Sequence, residues 1–435
     1  MVSSRLLIMQ STTQTASLSK ENSFRRLFAK VGVWVFLIAF TIRLAIALAS
    51  IDSFAADTDA YRRLSQTIYN TGTFGLIDPQ GTPVASAYRP PLYPWLLSWF
   101  GGLSSDAIPI AMFHAILGGL SVAMTFEIAK RLGMAQVSSL AAAALVLIDP
   151  ILIHQSTLVM TETLATFLAV AIWWLTLVLG WFETPPFRRS MLLGITIGMA
   201  LGIACLCRPT ALAWCLLWAG FELLRSPLRA SCLLLGCLLV LIPWWKRNES
   251  QLGHGLWTTT HGGYTLLLAN NPILYEHWNT SASREWDEDR FHAWWASKQL
   301  EKFKQLPSDE FATDALANQL GWETIRRSPG VFVKASLIRE GWLWAWWPSK
   351  RLADWKVSLG LGIYYAATSI AALVGLYKLL RIPCVKRAMW IPAISLTLSL
   401  CAVHSVYWSN MRMRAPVIPV VSLLAVLSFR PFSRP

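Results

Sequence analysis

Charge is what this sequence has least of. Asp, Glu, Lys and Arg make up 14% of its 435 residues, where a soluble globular chain carries about 25%. That scarcity, beside 54% hydrophobic residues and 23 Trp, excludes an ordinary soluble enzyme. Cysteine is missing from the long polar stretch 246–354, and the seven Cys (205, 207, 215, 232, 237, 384 and 401) lie in or beside apolar runs. This excludes a disulfide framework and a metal-binding Cys cluster. The seven His show no metal-ligand spacing, so a His-based metal site is not expected. There is no internal repeat and no low-complexity tract, and the inverted repeats frequent in transporters are missing with them.

What is abundant is apolar sequence in runs long enough to cross a hydrocarbon core roughly 30 Å thick. Ten such runs are expected to be spans: 31–51, 107–128, 136–152, 156–180, 190–207, 209–225, 230–245, 355–379, 388–408 and 415–429. The chain reads as an all-α multi-pass membrane protein with four parts. These are a tail at 1–30, a membrane core at 31–245 with a first outer loop at 52–106, a small helical outer region at 246–354, and C-terminal helices at 355–435. The run after the polar tail lacks a cleavage site and is expected to stay as the first span.

The net charge of +14 does not point to nucleic acid, because Lys and Arg collect where apolar runs end. With the N-terminus placed in the cytoplasm, every short inner turn is basic: Lys130–Arg131, Arg188–Arg189, Arg225 with Arg229, and Lys378 to Arg387. Both termini are therefore expected in the cytoplasm, with the larger loops facing the periplasm or exterior. In the second outer region, 308–327 reads as a helix capped by Ser308. The segment 331–348, basic on one side and Trp-rich on the other, is expected along the membrane surface.

Threaded this way, the odd ionisable residues fall at one level. Asp57 and Asp59 follow the first span. Arg89 lies in SAYRPPLYPWLLSWF (86–100), Glu162 near the outer end of its span, Arg208 in LCRPTAL (206–212), and Arg412 and Arg414 in YWSNMRMRAPVIP (407–419). An ionisable group inside the bilayer costs about 2.5–3.5 kcal/mol on insertion scales, so such groups find partners. Two carboxylates, a buried Glu and four Arg read as an anion site with a base beside it, and the planar guanidinium suits phosphate. Plainer roles exist for each. Arg43 can snorkel or pair with Glu162, Asp59 can cap a helix over 60–70, and Arg208-Pro209 can simply join two helices. Arg412 and Arg414 can anchor lipid headgroups, and most Trp can form the interfacial belt.

Taken in order, four stretches resemble the polyprenyl-phosphate-sugar-dependent glycosyltransferases of the GT-C class, in particular bacterial relatives of protein O-mannosyltransferases and lipid A aminoarabinose transferases. They are ADTDAYRRLSQTIYNTGTFG (56–75), AYRPPLYPWLL (87–97), IPWWKRNESQLGHGLWTTTHGGYTLLLANNP (242–272) and MRMRAPVIPVVSLLA (411–425). Arg89 stands where the aminoarabinose transferases have a Lys. The Trp-Trp-Asp signature of oligosaccharyltransferases is absent, and EWDEDR (285–290) does not replace it.

The resemblance implies a GT-C-like helical bundle, with surface-lying helices in the first outer loop. It implies transfer of a sugar from a polyprenyl-phosphate donor to the hydroxyl of a protein, lipid or polysaccharide acceptor. Asp57, four residues ahead of Tyr61, matches the family's catalytic aspartate. Asp59 is the alternative base. Asp57 would take the acceptor proton, and Arg89 with Arg412 and Arg414 would hold the phosphate. Glu162, Arg208 and Tyr61 would support them. No cofactor is expected, although Asp57, Asp59 and Glu162 offer oxygens to a divalent ion of the kind some relatives use. A transporter of an anionic or lipid-linked substrate is the alternative reading, and a non-enzymatic assembly factor a third.

Overall fold

The computed structural model describes residues 31–101, 107–183, 186–280, 288–304, 309–348 and 354–429. The tail 1–30, Ser308, the start of EWDEDR and the terminal Arg430 and Arg434 lie outside the described residues.

A helix forms on each of the ten apolar runs. These helices are α1 (Val31–Ala49), α4 (Ile108–Arg131), α5 (Gln136–Ile148), α7 (Glu162–Val178), α8 (Phe187–Cys207), α9 (Thr210–Leu223), α10 (Pro227–Leu252), α16 (Trp355–Arg381), α18 (Ile391–Val406) and α19 (Ile418–Leu427). Five of them, α1, α4, α8, α10 and α16, are long and apolar enough to cross a membrane, and α5, α7, α9 and α18 are shorter apolar helices. The chain is an all-α multi-pass membrane protein. Its only sheet among the described residues is a hairpin, β1 (Gly75–Ile77) against β2 (Pro83–Ala85).

Two expected boundaries shift for local reasons. The run 136–152 breaks at Asp149, because Pro150 disfavours a helical residue before it. Asp149 instead takes extended dihedrals and caps α6 (Pro150–Gln155) through its side chain. Residues 156–161 form turns, so α7 starts only at Glu162. Close helix packing follows small residues, as is usual in membrane bundles. Gly194, Gly198 and Gly202 repeat at four-residue spacing on α8 and lie against α10. A Cβ at Gly198 would stand 2.1 Å from Leu233 O, and one at Gly236 2.3 Å from Ile195 O. Only hydrogen fits there, so α8 is locked on α10 and its C-terminal end, where Arg208 follows, is fixed.

Many Trp remain exposed, but Trp173, Trp181, Trp214, Trp218 and Trp390 are fully buried between helices. The indoles of Trp173 and Trp214 find carbonyl acceptors there, Met389 O and Pro392 O, each at 2.9 Å. Burial is therefore compatible with their polar N–H groups.

The first loop holds α2 (Tyr61–Thr71), the hairpin and α3 (Leu92–Ser98). The second polar region holds α11 (Gly262–Ala269), α12 (Pro272–Thr280), α13 (Glu288–Phe303), α14 (Glu310–Arg327) and α15 (Pro329–Leu343), with a small core of Leu267, Phe291, Trp295 and Ala317. The cap of α14 is Asp309, whose carboxylate accepts from Ala312 N at 2.9 Å. The basic side of α15 does not all face outward. Arg339 is fully buried and donates to Ala269 O at 2.8 Å and to Ser405 O, which ties α15 to α18 and α11.

Candidate active site

The ends of several elements meet at one place. Asp57 and Asp59 precede α2, Arg89 precedes α3, Glu162 begins α7, Arg208 ends α8, and Arg412 lies in the short helix Met411–Val417 between α18 and α19.

Glu162 is the buried centre, with its side chain 2% exposed. Arg208 Nη1 lies 3.0 Å and Arg412 Nε 3.6 Å from the same carboxylate oxygen, Oε1. Oε2 is buried and accepts no hydrogen bond from the described residues. The two guanidiniums also rest on sulfur: Arg208 on Met413 Sδ at 3.0 Å and Arg412 on Met160 Sδ at 4.0 Å. The Arg412 side chain is 35% exposed, so it is the more accessible of the two.

Beside this cluster, Arg89 Nη2 pairs with Asp59 Oδ1 at 2.7 Å, and its Nε donates to Asp59 O at 3.0 Å. The guanidinium lies 4.5 Å from the Tyr88 ring centre and 5.8 Å from that of Tyr61. Tyr61 joins the two halves. Burial pushes its hydroxyl up, and the charges of Arg89, Asp59, Arg208 and Glu162 all reach it.

Asp57 and Asp59 divide the two plain roles differently from the sequence reading. Asp57 is the helix cap: Oδ1 accepts from Arg62 N at 2.9 Å and Oδ2 from Arg63 N at 3.1 Å. These are among the amides that a helix start leaves without partners. Ala60, between Asp59 and Tyr61, sits in the left-handed region at φ 62°. That turn sends Asp57 to the α2 amides while Asp59 reaches Arg89. The Asp57 side chain keeps 16% exposure.

Two arginines stand apart. Arg414 is buried and donates to Leu343 O at 3.1 Å and Ala345 O at 2.8 Å, over the Tyr365 ring, and so joins the end of α15 and α16 to the short helix before α19. Arg43 does not pair with Glu162. Its guanidinium donates to Val146 O at 2.9 Å, because α1 lies beside α4 and α5 and the nearer carboxylate is Asp149.

Sequence reasoning missed several neighbours. Tyr93 and His114 are stacked and hydrogen-bonded at 2.8 Å, and the Tyr93 ring packs edge-on against Tyr61. His114 Nδ1 faces Ser156 O at 3.1 Å. That carbonyl fixes the tautomer, so Nε2 accepts from the Tyr93 hydroxyl. His261 stacks on Tyr264 and meets Tyr88 edge-on, and burial followed by the charge of Arg89 pushes it down to about 3. Arg247, within the stretch quoted above, donates to Ser86 O at 2.8 Å and to Phe74 O. The hairpin was legible only as the turn Asp78-Pro79-Gln80-Gly81, where Asp78 accepts from Gln80 N and Thr82 N.

Among the described residues no three His, Cys, Asp or Glu side chains are placed to hold a metal. Asp57 already serves two amides, Asp59 serves Arg89, and Glu162 serves two guanidiniums.

Residues 89–250 match the family described as dolichyl-phosphate-mannose-protein mannosyltransferase. Arg89, Glu162 and Arg208 fall inside that match, and Asp57, Asp59 and Arg412 outside it. No curated protein matches the chain. Among solved structures, the Archaeoglobus fulgidus oligosaccharyltransferase in its apo form aligns with a TM-score of 0.53 at 15% identity, over 91% of this chain and 50% of that one. The same organism's oligosaccharyltransferase AglB, with an inhibitory peptide and a dolichol-phosphate, aligns at 0.48 and 13% identity over the same shares. ArnT from Cupriavidus metallidurans bound to undecaprenyl phosphate aligns at 0.38 and 13%, over 92% of this chain and 77% of that one. The chain spans half the length of the oligosaccharyltransferases. It thus has a GT-C-like helical membrane fold, with a protein-mannosyltransferase family match over residues 89–250.

Proposed function

We propose that the chain is a glycosyltransferase that moves a sugar from a polyprenyl-phosphate donor to an acceptor hydroxyl at the outer face of the membrane. One observation carries the reading: two guanidiniums, Arg208 and Arg412, share the single buried carboxylate of Glu162. With Arg89 matched by Asp59 and Asp57 by Arg63, whose Nε lies 3.5 Å from Oδ2, the described residues of the cluster keep one positive charge unmatched. A polyprenyl-phosphate sugar is a phosphodiester with one negative charge, and its tail requires a site at the lipid boundary. The family match over 89–250 and the fold support the same class.

Arg412, the more exposed of the two Glu162 partners, and Arg89 meet the phosphate oxygens. Asp57, held by two amides and 3.5 Å from the Arg63 guanidinium, keeps 16% exposure and takes the proton of the acceptor hydroxyl. The acceptor oxygen attacks the anomeric carbon, the bond from that carbon to the phosphate oxygen breaks, and the electron pair leaves on polyprenyl phosphate with inversion. Guanidiniums already in place stabilise the growing phosphate charge without rearranging, the kind of contribution that is often largest. Arg414 has no part in this scheme and serves packing.

The test uses wild-type and Asp57→Asn protein in lipid, labelled polyprenyl-phosphate sugars as donors, and extracts of the host envelope as the acceptor source. Transfer by wild type that falls by roughly 10²–10⁴-fold in the variant is expected of a general base. Near-normal turnover by Asp57→Asn would remove the base assignment. No transfer by wild type from any such donor would remove the function.

A further inference from the structure

The segment that carries Arg89 is held by a distant part of the chain. Glu310, the first residue of α14, receives both the Ser86 hydroxyl, on Oε2 at 2.7 Å, and the Ala87 amide, on Oε1 at 2.9 Å. The Ser86 hydroxyl, having donated to Glu310, accepts Tyr88 N at 3.0 Å. Thr260 N donates to Ala87 O at 3.0 Å and Arg247 to Ser86 O at 2.8 Å. On the far side of Arg89 stand Pro90 and Pro91, whose rings fix the backbone. A short stiff strip thus runs from Ser86 to Pro91, clamped at one end by a carboxylate from 224 residues away in sequence.

The same face of α14 holds the opposite wall. Asp314, one turn after Glu310, accepts Gly263 N at 2.7 Å and Tyr264 N at 3.2 Å at the start of α11. A Cβ at Gly263 would stand 2.1 Å from Asp314 O, so the two helices touch backbone to backbone. This fixes His261 and Tyr264, and His261 packs on Tyr88. Two carboxylates on one helix face therefore set both the strip bearing Arg89 and the aromatic wall beside it. Amide-to-carboxylate bonds of this kind are stronger than neutral ones.

We propose that Glu310 is a positioning residue for the transfer reaction, holding the Ser86–Tyr88 strip so that Arg89 faces the donor phosphate. Helix α14 then belongs to the donor site as well as to any acceptor-facing surface. The proposal rests on the reading of Arg89 as a phosphate ligand.

The experiment compares full-length wild type, E310A and E310Q in lipid nanodiscs. Amide exchange is followed in a peptide covering 84–92, and undecaprenyl phosphate is titrated as the probe. In E310A the strip loses protection and the probe binds roughly tenfold more weakly, the scale of one lost guanidinium–phosphate contact. In turnover the donor KM rises while the acceptor KM stays. E310Q keeps an oxygen for Ala87 N and returns affinity toward wild type, which a purely packing role would not require. Ser86→Ala, which removes only the hydroxyl arm, gives the same direction with a smaller loss and serves if E310A does not fold. Looser exchange with unchanged affinity overturns the proposal, as does unchanged exchange. A wild-type chain that binds no polyprenyl phosphate overturns the reading of Arg89 itself, and the proposal with it.

Discussion

Arg412 reaches the same Glu162 oxygen that Arg208 already holds, at 3.6 Å against 3.0 Å. A buried carboxylate needs only one cation for neutrality. The second is surplus, and its 35% exposure leaves it able to engage a further anion.

Replacing Arg412 by Gln should therefore leave the fold intact and weaken the donor. The expected result is a rise in donor KM of roughly tenfold or more, the scale of one charge-assisted contact. The thermal midpoint in detergent should change little. Steady-state kinetics on a polyprenyl-phosphate sugar and a melting curve check the two halves. An unchanged donor KM would count against the surplus-charge argument.

Glu162→Gln should do the reverse. Both guanidiniums then lose their counter-charge in a buried setting, and breaking such a pair costs about 3–5 kcal/mol. A clearly lowered thermal midpoint is expected, partly restored by added polyprenyl phosphate. A midpoint equal to that of wild type would show that the arginines do not depend on this carboxylate.

Asp57 carries two roles that substitution can separate. Asp57→Asn removes the charge but keeps one oxygen for an α2 amide, so transfer should fall far more than stability. Asp57→Ala removes the cap as well and should add a loss of about 1 kcal/mol. Parallel activity and denaturation measurements distinguish the two. Equal activity in both variants and in wild type would leave Asp57 as a cap alone.

His261 makes a prediction in pH. Its folded value, about 3, lies below the ordinary range, first through burial and then through Arg89. Between about pH 6.5 and 3 the unfolded chain binds a proton that the folded chain does not, so folding weakens as pH falls through that window. Above it the contribution is fully present. His261→Phe keeps a ring between Tyr88 and Tyr264 and removes the titration. A plot of thermal midpoint against pH should be flatter in the variant over this range, and identical slopes would refute the assignment.

The membrane architecture was legible because a bilayer imposes it. Hydrocarbon demands continuous apolar helices, and each of the ten runs carries one. The convergence of Arg89, Glu162, Arg208 and Arg412 was also foreseeable, since charges at one depth seek partners. Which partner each takes was not. Arg43 and Arg414 bind the carbonyls of Val146, Leu343 and Ala345, and backbone acceptors leave no mark in a residue pattern. Asp57 and Asp59 differ only through the left-handed turn at Ala60, a residue type that does not announce one. The Glu310 clamp joins positions more than 220 apart, and no local rule connects them.

The double coordination of Glu162 has a consequence for biogenesis. Arg208 follows Glu162 across one helical hairpin, so the acid can enter the bilayer with its charge already matched. Arg412 emerges from the ribosome long afterwards, and it meets its sulfur neighbour Met160 across 252 residues of chain. A polypeptide that stops short of Arg412 would match the Glu162 carboxylate with Arg208 alone and would lack the surplus guanidinium.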